Sequence, residues 1–202
     1  MRDFKLYVIL NIECGNTVEI AQKVISAGAD IIQLRAKGSC DREVIELAEN
    51  LKKLVRKTST SFVLNDRADL AKIVEADGVH LGQTDLSVKD GRKILDTDKF
   101  IGISTHSLDQ ALAAQREGAD YIGIGPIFAT ATKPNTSPLK PKIIAKIKPK
   151  IKLPFVAIGG ITLDNLDQVL ACGAKRIAVS QAIIGAKDVY QATKQFRQRL
   201  YN

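Results

Sequence analysis

The chain has 202 residues, 45% of them hydrophobic and 26% charged, so one sizeable domain spanning 1–202 is expected and two are disfavoured. No run of 18 or more apolar residues occurs, which argues against a membrane-spanning helix. The net charge of +8 and pI near 9.4 suit acidic ligands, nucleic acid or plain solubility, but 5% aromatics and no Trp leave few platforms for stacking bases.

The first residues, Met1 to Lys5, mix charged and apolar side chains and lack the long apolar core of a secretory signal. A strand-like run follows at 5–10, then Val18, Ala21, Gln22 and Ile25 at helical spacing. Gly28-Ala29-Asp30 introduces a second strand at 30–35. Val44, Leu47, Leu51, Leu54 and Val55 trace the next helix, and a third strand lies at 61–65. Ala76-Asp77-Gly78 precedes a fourth strand at 78–82. The fifth is at 100–104, with Leu108 and Leu112 beginning a helical stretch after it. Gly118-Ala119-Asp120 introduces the sixth at 120–125. Six lysines between 140 and 152, interleaved with Ile, Pro and Ala, read as a solvated helix face beside a loop. Pro154 opens the seventh strand, 154–159; Val169 and Leu170 are helical, and Gly173-Ala174-Lys175 introduces the eighth, 176–180. Glycine after a helix supplies the left-handed residue that stops it before the next strand.

Eight strands alternating with helices imply parallel pairing and closure into an α/β (β/α)8 TIM barrel. An open doubly wound sheet would carry a GxGxxG turn after its first strand, and Asn11-Ile12-Glu13-Cys14-Gly15 is not one. Cys14, Cys40 and Cys172 are widely spaced, with no CxxC or Cys/His cluster. Zinc and disulfides are therefore disfavoured, and reduced thiols in a cytoplasmic protein are expected.

In such barrels chemistry gathers where the strands end. Along the second strand Gln33 and Arg35 share a face, and Lys37 follows them to the rim. A Gln with two cations suits a heteroaromatic ring carrying an anionic tail; the alternative is that the cations neutralise nearby carboxylates. Asn65-Asp66 ends the third strand and Asp85 follows the fourth. With neighbouring strands ~5 Å apart, Asp66 and Asp85 can share a point that suits a hydrated Mg²⁺ completed by phosphate oxygens. Asp66 as the cap of a helix beginning at Arg67 is the competing reading. His80 reads as a packed or hydrogen-bonding rim residue rather than a metal ligand, since no second His sits at ligand spacing and His106 lies on another strand end. After the sixth strand, Thr130, Thr132 and Lys133 sit in a loop longer than most βα connections and suit a phosphate grip and lid. Gly159-Gly160 after strand seven and Ser180-Gln181 after strand eight occupy the usual barrel phosphate site.

Six segments, QLRAK (33–37), NDRAD (65–69), HLGQTDL (80–86), GISTHS (102–107), GPIFATATK (125–133) and AIGGIT (157–162), together resemble the thiamine phosphate synthase family, in its order and spacing, from about residue 6 to residue 183. The resemblance implies a transferase of thiamine biosynthesis that joins 4-amino-5-hydroxymethyl-2-methylpyrimidine diphosphate to a thiazole phosphate and releases pyrophosphate. It also implies that the segment Gln33, Leu34, Arg35, Ala36, Lys37 binds the pyrimidine diphosphate with Asn65, Ser104 and Lys133, and that Asp66 and Asp85 hold Mg²⁺. Thr130, Ala131, Thr132 and Gly160, with Ser180 and Gln181, would hold the thiazole phosphate. Arg35, Lys37 and Lys133 would act catalytically by neutralising the leaving diphosphate as a carbocation-like pyrimidine forms. Neither nucleic acid nor membrane is expected as a partner, and a homo-oligomer is left open.

Three places depart from the family pattern. Gln181 stands where the family has Ser, Ala36 where Glu is frequent, a position expected to face away from the site, and Leu139 to Lys142 lacks a Gly-rich helix entry. Two rival functions follow. A thiazole tautomerase of the same superfamily resembles Gly-His-Val-Phe where this chain has Gly125-Pro126-Ile127-Phe128, and Pro126 is neither acid nor base. The altered strand-eight loop also admits a non-catalytic thiamine-pathway binding module.

Overall fold

A computed structural model describes residues 3–130 and 137–201, and within them the side chain of every residue except Cys14. Eight parallel strands close in sequence order: β1 (Leu6–Asn11), β2 (Ile31–Arg35), β3 (Ser61–Asn65), β4 (Gly78–Leu81), β5 (Phe100–Thr105), β6 (Tyr121–Ile124), β7 (Phe155–Ile158) and β8 (Ile177–Val179). Pairing of Leu6 with Ile177 and of Val8 with Val179 joins the last strand to the first. The expected (β/α)8 barrel is what forms, and each strand lies within two residues of its expected ends.

Alternation along the strands separates two cores. Leu6, Val8 and Leu10 face outward to the helices with Ile32, Leu34, Phe62 and Leu64. Tyr7, Ile9, Ile31, Val63, Tyr121 and Val156 fill the barrel with Phe4 and Phe100. Inside, the Tyr121 ring meets Phe4 and Phe100 edge-on at 5.9 and 6.1 Å between centroids. Gly102 makes room for it, since a Cβ there would lie 2.0 Å from the Tyr121 ring.

The helices are α1 (Thr17–Ser26), α2 (Asp41–Val55), α3 (Ala68–Ile73), α4 (Val88–Ile94), α5 (Leu108–Arg116), α6 (Lys142–Ile147), α7 (Leu166–Ala171), α8 (Gln181–Ile184) and α9 (Val189–Tyr201). Val44, Ala48, Leu51 and Val55 form the buried stripe of α2, each large member stabilising the layer by about 1.5–3 kcal/mol. Ser87 and Ser107 cap α4 and α5 by accepting from the Asp90 and Gln110 backbone N–H. No described helix is long and apolar enough to cross a membrane.

The recurring Ala/Gly–Asp signal has a physical reason beyond stopping helices. Asp30, just before β2, accepts the Lys5 and Leu6 N–H groups at the start of β1, both at 2.8 Å. Asp77, before β4, accepts the Phe62 N–H of β3 at 2.7 Å. Asp120, before β6, accepts the Ile101 N–H of β5 at 2.7 Å. Each carboxylate therefore staples the start of the preceding strand at the barrel's N-terminal face. The fourth copy has Lys175 in place of the acid.

Candidate active site

At the other end of the barrel the strand-end loops enclose a cavity of about 480 Å³. The register brings inward residues of β1 and β2 to one wall, so Tyr7, Ile9, Gln33 and Arg35 line it. Asn65, His80, Ser104 and His106 continue around the mouth, followed by Thr130, Gly160, Ser180 and Gln181. Arg35 lines the wall and makes no side-chain hydrogen bond or ion pair among the described residues.

Asp66 adopts a left-handed conformation (φ 63°), which Asp tolerates better than most residues, and its N–H donates to the His80 carbonyl at 2.8 Å. The residue at the head of α3 is Arg67, with no side-chain cap bond, so Asp66 does not act as a helix cap. Its Oδ2 instead meets Lys37 Nζ at 2.8 Å. Asp85 accepts the Gly82 N–H at 2.6 Å and lies within hydrogen-bonding reach of Asp66. Burial pushes the Asp85 carboxyl above its ordinary range; the Gly82 N–H opposes this, the Asp66 carboxylate adds to it, and Lys37 offsets part. Two carboxylates crowded together favour a shared cation.

The β7 and β6 loops fit into one another. Phe128 N–H donates to the Gly159 carbonyl at 3.0 Å and Ile127 N–H to the Ile158 carbonyl at 2.8 Å. Gly160 has φ 63°, and a Cβ there would fall 2.3 Å from the Ala129 oxygen, so only glycine fits beneath the segment that carries Thr130. The next loop is closed by Asn165, which donates to the Gly160 carbonyl and accepts the Thr162 N–H, both at 2.9 Å.

Several expected residues sit differently. Leu34 is fully buried and Ala36 half-buried against the outer core, so neither side chain faces the cavity. The alternation that turns Gln33 and Arg35 inward turns these two away. The Ser180 hydroxyl donates to the Ile9 carbonyl at 3.0 Å, which commits it to the backbone of β1. Gln181 opens α8, and its amide folds back over Gly185, where an added Cβ would meet its Nε2 at 2.2 Å. Ala131, Thr132 and Lys133 lie outside the described residues. Among the described residues no group of three or more His, Cys, Asp and Glu converges as a metal cage.

Sequence reasoning missed two tyrosines, while His80 is the packed, hydrogen-bonding rim residue it was expected to be. Gln33 Nε2 donates to the Tyr7 hydroxyl at 2.6 Å, Tyr7 and Tyr121 hydroxyls meet at 3.1 Å, and Tyr121 meets His80 Nδ1 at 2.9 Å. His80 Nε2 then reaches Ser104 Oγ at 2.9 Å. His106 joins the wall with its Nδ1 bonded to the Gly125 carbonyl. The inward phase of Tyr7 along β1 was the available signal; nothing local pairs it with Tyr121.

Such a mouth suits small phosphorylated substrates, and the class that fold and site define is that of the (β/α)8 enzymes acting at their strand ends. Comparison with known proteins narrows this. The family described as thiamine monophosphate synthase matches residues 6–183. A thiamine-phosphate synthase of Halalkalibacterium halodurans is 47% identical over 94% of this chain and 92% of its own length. One from Shouchella clausii is 44% identical over 96% and 95%. The solved thiamine phosphate pyrophosphorylase of Pyrococcus furiosus superposes with a TM-score of 0.92 at 38% identity, covering 98% of this chain and 96% of that one. A 3-hexulose-6-phosphate synthase, at 21% identity and a TM-score of 0.75, shares the fold. The chain belongs to the thiamine monophosphate synthase family.

Proposed function

We propose that this chain condenses 4-amino-5-hydroxymethyl-2-methylpyrimidine diphosphate with a thiazole phosphate to give thiamine phosphate and pyrophosphate. The observation that carries this reading is the Asp66–Asp85–Lys37 cluster at the strand ends whose cavity wall bears Arg35, which makes no ion pair among the described residues. The donor set fits Mg²⁺, which is commonly held by one or two carboxylates and completes its shell with water and phosphate oxygens. Bound there, Mg²⁺ would neutralise charge on the diphosphate.

The side chains supply the rest. As the bond between the pyrimidine's exocyclic carbon and the diphosphate oxygen breaks, its electron pair leaves with the diphosphate. Arg35, Lys37 and Lys133 stabilise that charge. The thiazole nitrogen then donates its lone pair to the electron-poor carbon, so no nucleophilic side chain or strong base is required. Gln33, Asn65 and Ser104 hold the pyrimidine diphosphate. Thr130, Thr132, Gly160 and the backbone at 180–181 hold the thiazole phosphate. Holding both partners in line contributes much of the acceleration. The free thiols of Cys40 and Cys172 fit a cytoplasmic setting.

The test incubates pure protein with both substrates, with and without Mg²⁺, while following pyrophosphate and thiamine phosphate. Metal-dependent formation of both supports the assignment. Activity confined to thiazole isomerisation would make the chain a tautomerase, and ligand binding without pyrophosphate release would make it a binding module.

A further inference from the structure

We propose that Tyr7 and Tyr121 are positioning residues that couple Gln33 to Ser104 across the barrel, so that the site accepts a pyrimidine bearing an amino group and rejects its oxo analogue. The inference rests on the reaction assigned above.

The coupling follows from counting hydrogens. Tyr7 and Tyr121 are almost wholly buried, with Gln33 and His80 beside them. Burial holds both phenols well above their ordinary range, so each keeps one hydrogen to donate. Diphosphate oxygens only accept hydrogen bonds. A Ser104 hydroxyl facing them must donate outward, and its oxygen then accepts from His80 Nε2–H. In a neutral imidazole the other nitrogen is an acceptor, so His80 Nδ1 takes the Tyr121 hydrogen. The Tyr121 oxygen takes the Tyr7 hydrogen, and the Tyr7 oxygen takes one from Gln33 Nε2. Gln33 is left showing its carbonyl oxygen to the cavity it lines.

That oxygen matches the 4-amino group, which donates. A 4-oxo pyrimidine accepts at the same position and would need Gln33 to turn its NH₂ outward. Every bond of the chain would then reverse, and the Ser104 oxygen would offer lone pairs to the diphosphate. The anionic leaving group at one end therefore dictates the polarity read at the other, 71 residues away in sequence. Leaving a buried polar group mispaired is what gives hydrogen-bonding sites their strong discrimination.

The experiment measures kcat/KM for the 4-amino substrate and its 4-oxo analogue, both as diphosphates, with saturating thiazole phosphate and Mg²⁺. Wild type should prefer the amino compound by at least ~1000-fold, the scale of sites built around a substrate hydrogen bond. Tyr7→Phe and Tyr121→Phe each cut the chain and should lower that ratio at least ~10-fold, the scale of one hydrogen bond. Ser104→Ala should do the same, and combining it with Tyr7→Phe should cost little further selectivity, because one path is broken twice. A ratio unchanged in the folded Phe variants, with both rates falling together, would reduce the tyrosines to packing and overturn the proposal. Additive losses in the double variant would also overturn it. Should a Phe variant fail to fold, an unchanged ratio in Ser104→Ala, or a wild type accepting both compounds alike, is equally fatal. A wild type releasing no pyrophosphate from the amino substrate would instead refute the reaction itself, and the proposal with it.

Discussion

The two faces of the barrel use the same residue type in opposite ways. At the N-terminal face Asp30, Asp77 and Asp120 are each matched by strand N–H donors, and Asp77 and Asp120 also by Lys52 and Arg92. At the C-terminal face Asp66 and Asp85 crowd one another, Lys37 pairs with Asp66 alone among the described residues, and Asp85 stays above its ordinary range. The saturated carboxylates hold the fold, whereas the crowded pair is where the proposed Mg²⁺ would bind. Strongly perturbed groups gather where function is, because stability alone favours full pairing.

The sharpest way to break this comparison is to remove charge from the mouth. Asp85→Ala and Lys133→Ala should each lower turnover at least ~100-fold, the usual effect of losing one electrostatic stabiliser. Unchanged steady-state rates in both would end the assignment. At the opposite face, Asp120→Ala should leave the Michaelis constants unaltered. It should cost about 1–3 kcal/mol of stability by orphaning the Ile101 N–H, read from denaturant midpoints.

Asp85 gives a pH test with a defined sign. Its pKa is raised, so below the ordinary value of 3.8 both folded and unfolded forms are protonated and it contributes nothing. As pH rises from the ordinary value to the raised one, the unfolded form ionises first and a penalty builds in the metal-free protein, complete above the raised value and still present at neutral pH. Asp85→Asn should therefore raise the metal-free melting temperature at pH 7 more than at pH 3. Added Mg²⁺ should stabilise wild type and not the variant; equal stabilisation of both would remove Asp85 from the metal site. The smallest effect is expected at Gln181, whose amide lies against Gly185. Gln181→Ala should change the KM for thiazole phosphate by less than ~5-fold, under the worth of one neutral hydrogen bond, as competition kinetics would show.

Much of the fold was legible because strand and helix alternation is local. Gln33 and Arg35 reached the same wall because period-two alternation fixes their phase. The same rule turns Leu34 and Ala36 to the helices, as was expected of Ala36; grouping Leu34 with the binding segment by adjacency alone missed this. Two features stayed hidden because they depend on distant register. Tyr7 and Tyr121 are 114 residues apart and meet only once the barrel closes. The aspartates of the Ala/Gly–Asp signal look like helix stops in sequence, and their bonds to the preceding strand exist only in the assembled sheet.

The last helix carries a consequence for engineering. The Tyr201 hydroxyl contacts both carboxylate oxygens of Asp30 at 2.9 Å, and Lys5 Nζ donates to the Leu200 carbonyl at 3.0 Å. The early and late segments are thus neighbours, beside the Asp30 staple and on the side away from the catalytic mouth. A short glycine-serine bridge between them, with new ends opened in an exposed helix-to-strand turn, would give a circularly permuted barrel. Reporter domains attached there would leave the entrance for substrates unobstructed.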